Sequence, residues 1–122
     1  MPNPDLAREI RKARNERLEN LLRFQIRAAG LPEPETQVQF HPERKWRADF
    51  LFRDRGRRLI AEVDGLVYQG SGGRHQRPAG YEEDCRKLAE AVLAGYFVMR
   101  FTGSQVESGE ALRFLERWFK GG

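Results

Sequence analysis

Residues 46–65 leave this chain few ways to fold. Read at a period of two, Ala48, Phe50 and Phe52 fall on one face of a strand, and Asp49 and Leu51 on the other. Asp54-Arg55-Gly56-Arg57 is a turn signal, and Leu59-Ile60-Ala61-Glu62-Val63-Asp64 supplies a second strand. With Arg55-Gly56 as a two-residue loop, position 54 pairs with 57 and Asp49 lands opposite Glu62. The same register pairs Phe50 with Ala61 and Phe52 with Leu59, which gives one apolar face to bury. The other face collects Asp49, Glu62 and Asp64, with Ile60 opposite Leu51. Carboxylates facing each other across strands repel, and a divalent cation is the usual compensation. Oxygen ligands of this kind suit Mg²⁺ or Mn²⁺ rather than zinc. A solvated outer face, with Arg47 neutralising Asp64, accounts for the same acids. Both readings stand on the acids alone.

The flanking chain supplies the rest of an α/β domain. Residues 1–5 read as a frayed arm and residues 6–29 as a helix. Leu18, Leu21, Leu22, Ile26 and Ala29 form its stripe, and Gly30 and Pro32 stop it. Its other face mixes Arg8, Arg11, Lys12, Arg14, Arg23 and Arg27 with Glu9, Glu16 and Glu19, a solvated pattern whose excess of Arg suits a DNA backbone. Residues 36–41 read as a first strand, closed by His41-Pro42. Residues 66–80 form a glycine-rich loop holding Arg74, His75 and Arg77. At about fifteen residues it exceeds the usual loop length, and its composition favours ordering on a phosphate backbone.

A second helix over 81–94 turns Leu88, Ala91 and Val92 inward and stops at Gly95. Residues 96–101 form a short apolar strand expected at the centre of the sheet. Ser104-Gln105-Val106-Glu107 reads as a capping box, and Leu112, Leu115, Trp118 and Phe119 give the last helix a buried stripe. The order is α-β-β-β-α-β-α. A crossover from 59 to 101 implies a parallel pair beside the hairpin, hence a mixed sheet with helices on both faces.

At 122 residues the chain is sized for a single domain. Its 22 basic residues outnumber its 18 acidic ones for a net charge of +4, and only Lys12, Lys45, Lys87 and Lys120 are not Arg. The guanidinium fork suits phosphate, so the bias fits a nucleic-acid partner, although an Arg-rich solvated surface gives the same composition. The single Cys85 excludes an internal disulfide, argues against a thiolate zinc site, and fits a reducing cytoplasm. Neither a signal peptide nor a membrane-spanning apolar run is present, so no membrane association is expected.

An acid on the first helix (Glu19), Asp49 on the second strand and Glu62-Val63-Asp64 on the third make an ordered set. With it go Gly30-Leu31-Pro32, Phe40-His41-Pro42, residues 45–50, Ala61 to Gly65, Gly73-Arg74-His75 and Arg100-Phe101-Thr102. The set resembles the PD-(D/E)XK nuclease superfamily, in the branch similar to very short patch repair endonucleases and their phage-borne relatives. The resemblance implies a three-layer restriction-endonuclease-like sandwich and a metal-dependent DNA endonuclease. In such an enzyme a metal-activated water hydrolyses the phosphodiester and leaves a 5′-phosphate. It implies that Asp49, Glu62 and the Val63 carbonyl hold Mg²⁺, for which Mn²⁺ can substitute, with Glu19 reaching the ion directly or through water.

The chain departs from the superfamily where a Lys is expected two residues after Glu62, since Asp64 stands there. His75 in the glycine-rich loop and Lys87 on the following helix are then the candidate bases, and Asp64 would bind a second ion or accept a proton. Arg44, Lys45, Arg47, Arg74 and Arg77 would contact phosphates. The resemblance implies DNA as the partner, with a homodimer or a larger nucleic-acid-processing complex as the candidate assemblies. A junction resolvase, a mismatch or strand nickase, and a decayed DNA-binding accessory protein use the same fold. A small interaction domain with no nucleic acid is the reading from another class. Plainer roles exist for single residues: Glu19 pairs with Arg23, Lys87 with Glu83 or Glu90, and Trp46 shares the inward parity of Phe50.

Overall fold

A computed structural model describes residues 4–64 and 78–121. In chain order the elements are α1 (Pro4–Ala28), β1 (Glu35–Gln39), β2 (Arg47–Asp54), β3 (Arg57–Asp64), α2 (Pro78–Leu93), β4 (Phe97–Thr102), α3 (Gly103–Ser108) and α4 (Glu110–Phe119). The protein is α/β, with a mixed four-stranded sheet in the order β1-β2-β3-β4.

The central hairpin has the register its sequence requires. β2 and β3 are antiparallel, with Phe50 opposite Ala61, Leu51 opposite Ile60, Phe52 opposite Leu59 and Asp54 opposite Arg57. The two loop residues, Arg55 and Gly56, have φ of 51° and 78°. Positive φ at both central positions is what a two-residue type I′ connection needs to follow the strand twist. Phe50-Leu51-Phe52 and Leu59-Ile60-Ala61 are all buried, so β2 and β3 are covered on both faces.

That burial pattern corrects the expected place of the last strand. β4 lies at the edge of the sheet, not its centre, and Phe97 at its start is 50% exposed. A central strand is buried on both faces, and here only the hairpin strands are. Strict alternation also fails at one point. Ala48 packs with Leu51, Ile60 and Ala91 rather than sharing the Phe50 side. The break coincides with Gln37, which sits at φ 52° between the β1–β2 pairs Thr36–Phe50 and Val38–Ala48.

The chain divides into two compact units. The first contains α1, the end of β3 from Val63, β4 from Arg100, and both C-terminal helices. Leu18, Leu22 and Ile26, spaced by four, are its buried stripe on α1, whereas Ala29 is exposed. The helix begins at Pro4, so residues 4 and 5 are helical instead of frayed. Proline suits the first helical position, where its missing N–H costs nothing. The left-handed Gly30 ends the helix, with its N–H on the Arg27 carbonyl and that of Leu31 on the Ile26 carbonyl at 3.1 Å. Within this unit Gln25 Nε2 donates to the Val106 carbonyl at 3.0 Å.

The expected single last helix is two. Gly109, at φ 87°, ends α3 and begins α4. The capping box also starts two residues earlier than expected. The Thr102 hydroxyl accepts from the Gln105 N–H at 3.2 Å while the Gln105 side chain accepts from the Thr102 N–H at 2.9 Å. Ala111, Leu115 and Trp118 are buried on α4, with Leu112 and Phe119 half-buried.

The second unit contains β1, β2, β3 through Glu62, α2 and the start of β4. Here the inward face of α2 differs from expectation. Ala91 is buried, but Leu88 and Val92 are 51% and 56% exposed. The inward stripe is Glu83, Lys87 and Ala91, again spaced by four. It is set by Lys87 turning toward the hairpin, which leaves 88 and 92 about 100° further round the helix. No helix among the described residues is long and apolar enough to cross a membrane.

Candidate active site

The β2–β3 pairing ends at Phe50–Ala61, and Asp49 of β2 and Glu62 of β3 are the residues next beyond that pair. Both carboxylates are half-buried. Such a pair needs positive charge, and α2 supplies it. Lys87 Nζ forms an ion pair with Glu62 Oε2 and donates to the Arg47 carbonyl at 2.9 Å. The two side chains are only 18% and 12% exposed, so water screens the pair little. Lys87 therefore pairs with neither of its helix neighbours. Glu83 is taken by Arg44 and Arg86, each at 3.3 Å, and Glu90 by His41 at 3.0 Å.

Asp49 is supported from the opposite strand, where Gln37 Nε2 donates to its Oδ1 at 3.3 Å. Sequence reasoning missed Gln37, because nothing in residues 36–41 signals a left-handed residue inside a strand. It also gave His41 no role beyond closing β1. His41 Nδ1 accepts the N–H groups of Glu43 and Arg44 at 3.1 and 2.9 Å. An atom accepting two hydrogen bonds carries no proton, so the proton sits on Nε2 and is donated to Glu90. The imidazole thus fastens the β1–β2 connection to α2, the two segments that bring Arg47 and Lys87 together. Trp46 is half-buried beside it, its ring 5.3 Å from His41 and 6.5 Å from Phe40, with Arg44 stacked over it at 5.1 Å.

The other expected residues are placed as follows. Lys45 and Arg47 are exposed at and before the start of β2, and Arg44 is committed to Glu83 and Trp46. Val63 is buried and Asp64 half-buried at the end of β3, and Glu19 is half-buried on α1. Arg74, His75 and Arg77, with most of the 66–80 loop, lie outside the described residues.

No three His, Cys, Asp or Glu side chains converge on an ion position among the described residues. Mg²⁺ does not need such a cage. It is usually held by one or two carboxylates together with water and substrate phosphate, and the donor set of Asp49 and Glu62 fits that habit. A cation arriving at Glu62 would share its carboxylate with Lys87. No protein-family model matches the chain, and the comparisons with curated proteins and with solved structures found no match.

Proposed function

We propose that this chain is a metal-dependent DNA endonuclease of the PD-(D/E)XK type. The observation that carries the reading is the Lys87–Glu62 ion pair on a hairpin that also presents Asp49. An acid on each of two adjacent strands plus one ammonium is the minimum such chemistry needs. In the superfamily pattern that ammonium comes from β3 itself, where this chain has Asp64. Lys87 delivers an equivalent group from α2.

When bound, Mg²⁺ would supply a water of lowered pKa and positive charge against the phosphate oxygens. Asp49 and Glu62 would hold it, and Gln37 keeps one oxygen of Asp49 turned toward β1. Lys87, tethered by the Arg47 carbonyl, would orient the attacking water as an ammonium, and the proton of that water would pass to solvent as the new phosphorus–oxygen bond forms and the 3′ oxygen leaves. A low-exposure ammonium beside the scissile group also offsets charge building on the phosphate.

The test is supercoiled plasmid with and without Mg²⁺ or Mn²⁺, cut by the wild type and by the Asp49→Ala/Glu62→Ala double variant. Metal-dependent nicking or linearisation that the variant loses supports the enzyme. A second reading, a DNA-binding accessory protein on the same fold, draws on Glu62 being already engaged by Lys87. It predicts equal, salt-sensitive DNA retention by both proteins with no cleavage and no effect of metal.

A further inference from the structure

The tip of the β2–β3 hairpin carries a charge cluster that the reaction does not use. Arg53, Arg55, Arg57 and Arg58 surround Gly56 and line one groove, with Asp54 the only acid among them. Four guanidiniums against one carboxylate leave the tip at +3, or +2 once Glu35, 3.7 Å from Arg53 Nε, is counted. Their tasks differ. Arg58 is a strut, stacked over Tyr96 at 4.0 Å and bonded to the Ala94 carbonyl. Asp54 lies 3.1 Å from Arg55 and 3.3 Å from Arg57 and holds both forks in place. Arg53 and Arg55 remain 58% and 65% exposed.

Arg55 also occupies a left-handed position, at φ 51°, where Asn or Gly fits with little strain. The loop thus presents a 65% exposed guanidinium, steadied by Asp54, where a smaller residue would fit the backbone with less strain. Asp54 stands five residues along β2 from Asp49, about 17 Å at the strand rise, which matches about five base pairs of B-DNA.

From these observations we infer that the hairpin tip is a second phosphate-backbone grip on duplex DNA, about half a helical turn from the reacting phosphate. The inference rests on DNA being the partner of the proposed enzyme. Its task is to hold the duplex in register, with no part in the chemistry.

The experiment compares the wild type with Arg53→Gln/Arg55→Gly, a change that suits the turn, and thermal melting checks that both fold. Binding to a labelled duplex of about 30 base pairs is followed by fluorescence anisotropy in EDTA between about 50 and 200 mM KCl. Each phosphate contact loses about 3.5-fold in affinity over that range, so two lost contacts should make the variant's decline about tenfold shallower. With metal, plasmid nicking should show a raised KM and an unchanged kcat. Equal affinity and equal salt slope for both proteins overturn the grip. A wild type that binds with the steeper slope but never cuts overturns the nuclease reading and leaves the grip standing. A wild type that does not bind duplex DNA overturns both.

Discussion

Lys87 of α2 and Glu62 of β3 form an ion pair, and the same ammonium donates to the Arg47 carbonyl at 2.9 Å. One cation thus ties a helix to both strands of the hairpin. Both side chains are mostly out of water, so removing one weakens the compensation of the other's charge. Lys87→Met should cost about 2 kcal/mol, and the double change Lys87→Met/Glu62→Gln less than that, because the half-buried carboxylate that has lost its ammonium is neutralised too. Function should move in two directions at once. Mn²⁺ binding, read by calorimetry without DNA, should tighten as the competing cation leaves. Metal-dependent nicking should fall by about a hundredfold or more. Wild-type nicking by Lys87→Met would remove Lys87 from the chemistry.

Gln37 holds a left-handed φ of 52° within β1 and donates to Asp49 at 3.3 Å. In an ordinary strand glycine is the less stable choice, since it gives up more backbone freedom on folding. Here the order should invert, because leucine is strained where glycine is not. Gln37→Gly should melt above Gln37→Leu, by about 1 kcal/mol in stability. Both lose the donor to Asp49, so both should bind Mn²⁺ about tenfold more weakly, the scale of losing a residue that orients a ligand. The usual order of stabilities, with leucine above glycine, would mean that the backbone at 37 is not held by this fold.

How much of this was legible in sequence follows from how local each signal is. The β2–β3 register was readable because one turn and one alternation fix it together, and the Arg55-Gly56 turn confirms it. The α1 stop at Gly30 was readable for the same reason. The inward face of α2 was not. Leu88 and Val92 look like a buried stripe by hydropathy, yet the helix is turned by a polar contact forty residues away in sequence, Lys87 on Arg47. Gln37 was invisible because a left-handed residue in a strand has no compositional mark. The split at Gly109 and the early cap at Thr102 were both written in the chain, as a glycine and as a Thr-x-x-Gln spacing. A longer amphipathic pattern outweighed them. Within the candidate site, register alone singled out Asp49 and Glu62 as candidates, while the contact of Lys87 with Glu62 in place of a helix neighbour required three dimensions.

The turn itself offers a stability test separate from DNA. Arg55 sits at φ 51° in a two-residue connection, the setting in which Asn-Gly is strongly preferred. Arg55→Asn keeps a side chain that tolerates the left-handed region and removes one long side chain's ordering cost. Its link to Asp54, at 3.1 Å, lies between half- and fully exposed groups and is worth little. The variant should gain about 0.5–1 kcal/mol and melt a few degrees higher. A lower melting temperature would mean that the Arg55–Asp54 contact outweighs the backbone strain.

The C-terminal turn of α1 should carry a small acid-sensitive term. Arg27 donates to Glu33 from Nε at 3.1 Å and from Nη2 at 2.8 Å, with Arg23 3.6 Å away. Hydrogen bonding from Arg27 holds the Glu33 carboxyl below its ordinary value of 4.5, and the Arg27 guanidinium is pushed up by the same contact. A carboxylate with a lowered folded pKa stabilises the fold above the unfolded value and loses that contribution as pH falls through the folded one. Glu33→Gln should therefore melt slightly below the wild type near neutral pH, and the gap should close as the solution is acidified below 4.5. Both groups are well exposed, so salt should shrink the gap at neutral pH as well. Melting curves for the two proteins across that pH range, at low and high salt, measure it directly. A gap that stays constant with pH would assign the contribution of Glu33 to packing along its methylenes instead of its charge.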